Sequence, residues 1–196
     1  MIMKTIGSFL LFAFVFFAGS PVSGQAGTTL KTGDKIPVFT APDENGNNWS
    51  VNDYIGKKII VIYFYPAAMT GGCTSEACNY RDNQAKLTEA NAIVVGISGD
   101  EVENLKLFKK VNNLNFTLLS DKDGSIAKQF GVPVSAGGTV EQEISGKKYQ
   151  LNREVTASRW TFIVDRDGEI RYINRSVDAA NDGKNVLDVI TELGLK

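Results

Sequence analysis

Lys58-Ile-Ile-Val-Ile-Tyr-Phe-Tyr65 runs into Pro66-Ala-Ala-Met-Thr70-Gly-Gly-Cys73 and on into Thr74-Ser-Glu-Ala-Cys78. The run after Lys58 is continuously β-branched and aromatic, the pattern of a central strand buried on both faces. Pro66 has no N–H and ends it. From Cys73 to Ala90 the chain lacks Gly and Pro and reads as a helix, with Thr70 and Thr74 as candidate caps and Glu76 in the first turn. A cysteine at such a junction meets unpaired backbone N–H groups and the positive end of the helix dipole, which favours a thiolate. Cys78, five residues on, suits a thiol that is oxidised and then resolved. Gly71 and Gly72 let the backbone approach a small ligand, and their N–H groups, with that of Cys73, can bind an oxygen. The Thr70 hydroxyl can accept from one group and donate to another.

A permanent staple between the cysteines is the plain alternative. In a regular helix, residues five apart have Cα atoms roughly 8–9 Å apart. A disulfide needs them within about 7 Å. The sulfurs can join only if the helix start unwinds, which fits a switchable bond better than a fixed one.

The rest of the composition narrows the chemistry. Among 196 residues there is no histidine, which excludes Cys-His dyads, Ser-His-Asp triads and histidine metal sites. Two cysteines cannot fill a four-ligand zinc site unaided, so neither metal nor cofactor is expected. The formal charge of −1 argues against nucleic acid or an anionic membrane surface as partner. Lys4 precedes an apolar run to Gly19, followed by Pro21 and small residues. Residues 1–24 read as a secretory signal cleaved near Gly24 or Ala26. The run is short for a membrane span. Export would place the mature domain in an oxidising compartment such as a bacterial periplasm, with a eukaryotic secretory route also open.

Residues 25–33 read as a linker and 34–196 as one domain. Pro37–Thr40 and Trp49–Val51 flank a turn cluster and predict a hairpin. Ala92–Ser98 reads as a second buried strand, 100–111 as an amphipathic helix, Asn115–Ser120 as a short strand and Ser125–Phe130 as a small helix closed by Gly131. Residues 132–158 read as a long loop or an irregular hairpin. Trp160–Asp165 and Glu169–Asn174 flank Arg166-Asp167-Gly168, a hairpin signal, and Asn181–Leu193 closes the chain as a helix. Strand–helix units followed by a hairpin predict an α/β fold with a mixed central sheet flanked by helices, of thioredoxin type with an N-terminal hairpin extension.

Pro66, Thr70 and Cys73, in the spacing Pro-x3-Thr-x2-Cys, resemble the active-site signature of the peroxiredoxins. Cys78, within Cys-Thr-Ser-Glu-Ala-Cys-Asn-Tyr-Arg-Asp82, is similar to the peroxiredoxin Q or bacterioferritin-comigratory-protein subfamily, over about Thr32 to Leu193. The resemblance implies a thiol peroxidase acting on hydrogen peroxide and organic hydroperoxides. Cys73 would be peroxidatic and Cys78 resolving, with an intramolecular disulfide recycled by a thioredoxin-like dithiol reductant. Thr70 would orient peroxide and thiolate, and Pro66 would shield the pocket. Arg159, before Trp160-Thr-Phe162, would hold the thiolate charged, with Arg153 as rival. Glu76 would brace the arginine or serve only as a helix-start carboxylate. A monomer or weak dimer is implied. One departure is Gly71, where the family usually has proline.

Three other readings fit less well. A thiol–disulfide exchange protein of the exported thioredoxin kind uses Cys-x-x-Cys, whereas this chain has Cys-x4-Cys. A copper-delivery protein of the Sco type needs Cys-x3-Cys and a histidine. A purely structural exported domain would leave Thr70 and Arg159 incidental.

Overall fold

The computed structural model describes residues 29–144 and 146–195. The leader assigned to 1–24, and residues 25–28 of the linker, lie outside the described residues. Residues 29–33, expected as linker, belong to the fold. Gly33 N–H donates to Ile170 O at 2.8 Å, Arg175 Nη2 donates to Leu30 O at 3.0 Å, and Leu30 packs on the core.

The β-branched run becomes β3 (Ile59–Phe64), and all six of its side chains are buried. It follows a small hairpin, β1 (Thr40–Pro42) with β2 (Asn48–Ser50). The first arm of this hairpin lies later than the expected Pro37–Thr40, and Val51 leaves the second for a single 3-10 turn. Parallel to β3 runs β4 (Ala92–Ser98), and beyond it β5 (Thr117–Ser120), which starts two residues later than expected. On the other side β8 (Trp160–Val164) and β9 (Ile170–Asn174) pair antiparallel. The order β5-β4-β3-β8-β9 makes the expected mixed sheet, with β3 at its centre.

Alternation along β3 divides the core. Ile60, Ile62 and Phe64 face one side, where Phe39, Trp49, Phe130 and Phe162 pack. Ile59, Val61 and Tyr63 face the other, against α1 (Gly71–Glu89), α2 (Val102–Val111) and α4 (Asp182–Glu192). Each such aromatic or aliphatic side chain stabilises the fold by about 1.5–3 kcal/mol when fully buried. The short α3 (Ser125–Gln129) lies on the first side and ends at Gly131, whose φ of +71° suits glycine. Among the described residues no helix is long and apolar enough to cross a membrane.

Of the two readings of residues 132–158, the hairpin holds and the loop does not, though the hairpin is regular. β6 (Val134–Ile144) and β7 (Lys147–Ala157) form a long antiparallel ribbon in one register. Glu141 accepts from Lys148 Nζ at 2.7 Å and from Gln150 Nε2 at 3.0 Å, cross-strand pairs of the kind that stabilise an exposed ribbon. Its base is tied to the sheet. Asn104 Nδ2, on α2, donates to Asn152 O at 2.7 Å, and Asp100 bridges to Arg153.

Close packing inside the sheet gives a stability test. Gly96 pairs with Tyr63 across β3 and β4, and a Cβ there would stand 2.7 Å from the Tyr63 ring and hydroxyl. The ring cannot yield, because it stacks on Tyr80 at 4.7 Å and Tyr65 at 5.4 Å. Gly96→Ala is expected to destabilise by about 1–3 kcal/mol, measured by urea unfolding.

Candidate active site

The site begins where β3 stops. After Tyr65 and Pro66 the chain turns through Ala67, Ala68 and Met69. The turn is held from the neighbouring strand, as Ala68 N–H and Ser98 Oγ both donate to Asp100 Oδ2 at 2.8 Å. Met69 takes φ +66°, a left-handed conformation uncommon outside glycine, and reverses the chain toward the helix. The carboxyl ends of parallel strands are where open α/β sheets place their sites.

α1 starts at Gly71, two residues before the expected start at Cys73. The reason is local. Thr70 is extended at φ −80°, ψ 152°, and its carbonyl accepts the first intrahelical bond, from Thr74 N–H at 2.8 Å. Thr70 therefore holds the N-cap position, but its side chain does not cap. The hydroxyl donates to Ala67 O at 2.9 Å, which leaves its lone pairs free to accept. Without a side-chain cap, the N–H groups of the first turn remain open to an oxygen ligand. Gly71 and Gly72 are exposed. A Cβ at Gly71 would meet nothing, so this first helical position has room for a side chain.

Cys73 is 1% exposed, its sulfur turned into the core side of α1. Arg159 Nη2 stands 3.2 Å from it. The pairing of Phe64 with Trp160 puts residue 159 level with Tyr65, at the end of the sheet where α1 begins. Register thus delivers the arginine from a position 86 residues away. Its Nη1 donates to Glu76 Oε2, so the guanidinium bridges the thiol and the carboxyl. Burial works against the guanidinium charge, but Glu76 and Cys73 outweigh it and hold the group more firmly protonated than usual. Arg153, the rival, lies on β7 beside Asp100 and donates to Thr156 Oγ1 at 3.2 Å. Of the two arginines, the structure brings Arg159 to the sulfur.

Glu76 is completely buried. Burial pushes its carboxyl up to about 8, with Arg159 pulling it down and Asp182 pushing it further up. The other four expected residues are also placed. Cys73 and Thr70 sit at the helix start, Pro66 borders the loop half-buried, and Cys78 lies half-buried beyond the first turn. Both thiols are free, and the helix between them is unbroken. Regular helix geometry then keeps their Cα atoms roughly 8–9 Å apart. A cavity of about 560 Å³ lined by Thr40, Glu101, Asp121 and Lys122 holds none of these residues. Asp100, which pins the loop, escaped the sequence reading. Its one signal is an acidic residue directly after a buried strand, at Gly96-Ile-Ser-Gly-Asp100.

Glu76 also gives a pH test. Its folded value of about 8 exceeds its ordinary 4.5, so between these the folded state holds the extra proton. Its contribution to stability is complete at the acid end and is lost as pH rises through 8. The urea midpoint should therefore fall as pH climbs from about 4.5 to 8. In Glu76→Gln that fall should be shallower.

Comparison with known proteins agrees with this geometry. The AhpC/TSA family matches residues 32–173. Peroxiredoxin Bcp of Escherichia coli is 39% identical over 163 residues, covering 83% of this chain and 97% of its own. The crystal structure of Peroxidoxin BcpB from Mycobacterium tuberculosis aligns with TM-score 0.69 and 32% identity, covering 84% of this chain and 98% of that one. A Xylella fastidiosa PrxQ structure shares the fold at TM-score 0.71 and 22% identity, over 86% of this chain and 99% of its own. A cysteine turned into a dry helix start under an arginine, on a thioredoxin-like mixed sheet, belongs in such company, and the chain is a member of the AhpC/TSA family, a peroxiredoxin of the Bcp and peroxiredoxin Q kind.

Proposed function

We propose that this thiol peroxidase works through Cys73 as peroxidatic and Cys78 as resolving cysteine. The observation that carries the reading is Arg159 Nη2 at 3.2 Å from the Cys73 sulfur, beside an uncapped helix N-terminus. The thiolate is the nucleophile. A guanidinium does not give up its proton, so Arg159 stabilises negative charge on sulfur without acting as a base. In a chain without histidine this electrostatic route stands in for imidazole.

The Cys73 thiolate attacks one peroxide oxygen, and the O–O bond breaks. Sulfur is oxidised to sulfenic acid, and the released alkoxide or hydroxide takes a proton from water. Arg159 and the open N–H groups of Gly71, Gly72 and Cys73 stabilise the charge growing on the leaving oxygen. The Thr70 hydroxyl, its own proton engaged by Ala67 O, accepts from the peroxide O–H and orients it. Pro66 keeps water from the loop side. The start of α1 then unwinds, Cys78 attacks the sulfenic sulfur, and a disulfide forms with loss of water. A thioredoxin-like dithiol reduces it by exchange. Hydrogen peroxide and organic hydroperoxides are both substrates in this reading. The peroxidase assignment is preferred to disulfide exchange because exchange of the thioredoxin kind uses two cysteines one helical turn apart.

Export rests on the leader at 1–24 and would make the reductant an exported one. Cell fractionation with sequencing of the amino terminus tests it: recovery only from the cytoplasm refutes export, and an intact Met1 on exported protein refutes cleavage in favour of an uncleaved anchor.

Reduced protein given one equivalent of peroxide and weighed provides the main test. Cys73→Ser should consume no peroxide. Cys78→Ser should gain one oxygen at Cys73 and then stall with the dithiol reductant; normal turnover would refute the division of labour. Arg159→Met should slow the first oxidation about 10²–10³-fold, the usual cost of removing one donor from a developing oxyanion.

A further inference from the structure

Asp182 is a buried acid that the mechanism above does not use. Asp182, the first residue of α4, is 1% exposed and accepts the hydroxyls of Tyr80 at 2.5 Å and Thr161 at 2.7 Å. Beside it, Lys184 N–H donates to Asn79 Oδ1 at 3.1 Å. Between them Gly183 presses on α1. A Cβ there would stand 2.9 Å from Asn79 Oδ1 and 3.1 Å from both Asn79 O and Tyr80 Cα. One residue on, Arg81 Nη1 donates to Asn112 O at 2.7 Å, where α2 ends, and Arg81 O accepts from Asn115 Nδ2 at 3.3 Å.

Residues 79–81 are thus fastened from two directions, starting at the residue after Cys78. The turns ahead of them are held differently. Gly71, Gly72 and Ser75 are exposed, Cys73 and Ala77 pack in the core, and the side-chain hydrogen bonds of this segment to other elements run through Cys73 and Glu76 to Arg159. Closing the disulfide must release exactly those ties, since Glu76 lies between the two cysteines. It need not release the bonds at Asn79 and Tyr80.

We propose that the first turn of α4, through Asp182 and Gly183, is a positioning element for the resolving step. It keeps α1 helical from Asn79 onward, confines unwinding to 71–78, and holds Cys78 within reach while Cys73 moves to it. This rests on the assignment of Cys73 and Cys78 made above. In the step itself the Cys78 thiolate attacks the sulfenic sulfur of Cys73. The S–S bond forms, the S–O bond breaks, and the departing hydroxide takes up, through solvent, the proton that the Cys78 thiol gave up, so one water is released. Holding one of the two reacting groups in place shrinks the search before they meet.

Two substitutions separate this from simple stability. Tyr80→Phe deletes the bond to Asp182 and keeps the ring. Gly183→Ala favours helix by intrinsic propensity and pushes α4 off α1. Each reduced protein is given one equivalent of hydrogen peroxide. Sulfenic acid is followed by trapping with a dione, and the disulfide by mass. Hydrogen exchange is then read on the disulfide form. The expected result is an unchanged rate of sulfenic acid formation and disulfide closure roughly threefold to tenfold slower, the scale of one lost hydrogen bond. Loss of exchange protection, confined to 71–78 in the unsubstituted protein, should spread into 79–89 in the variants.

Closure at the original rate or faster overturns the proposal, whatever happens to the urea midpoint. So does exchange beyond residue 78 in the unsubstituted disulfide form. If Gly183→Ala does not fold, Tyr80→Phe decides alone. If the unsubstituted protein never forms the Cys73–Cys78 bond, the resolving assignment itself fails, and the mass of that sample shows it before any variant is read.

Discussion

Everything at the active end of this protein is organised around one guanidinium. Arg159 reaches the Cys73 sulfur with one nitrogen and Glu76 with another, at a place where both partners are buried. In water such contacts would be worth little. In a dry site the same charge acts over short distances with far less screening. Burial pushes the Glu76 carboxyl up and Arg159 pulls it down, so carboxyl and thiol are coupled through the guanidinium they share.

Placing that charge requires three separate pieces of scaffold. β8 must pair with β3 in the register that sets Arg159 opposite Tyr65. The loop after β3 must turn through Met69 and stay turned, which Asp100 ensures from the end of β4. The β6–β7 ribbon must end at Ala157 against the sheet, where Ser158 N–H donates to Pro133 O at 2.8 Å. Of the three, the loop is held by a buried polar group from another element, Asp100, which accepts from Ala68 N–H.

The helix that carries both cysteines has two contrary requirements. It is ordered where it presents Cys73 beneath Arg159, and the proposed closure needs its first turns to open so that Cys73 can move to Cys78. Its sequence divides accordingly. Glycines and small polar residues occupy the first turn, where helix propensity is low. Beyond Cys78 come Tyr80, stacked on Tyr63, and Leu87, fully buried. Low helix propensity and firm core anchoring thus fall on different turns of one helix.

Much of this was present in the residue order alone. The buried run of β3, the helix after it, the strand at Ala92–Ser98 and the Pro-x3-Thr-x2-Cys spacing are local patterns, because side-chain periodicity and missing N–H groups act within a few residues. For 132–158 the residue order left loop and hairpin both open, because the apolar positions of the ribbon at 134–157 are diluted by Glu, Gln, Lys and Gly. Which arginine meets the sulfur, how Asp100 and Asp182 are used, and whether Glu76 braces Arg159 were decided only by tertiary structure. Those contacts join residues dozens of positions apart, and they exist only once strand register and helix packing have brought them within hydrogen-bonding distance.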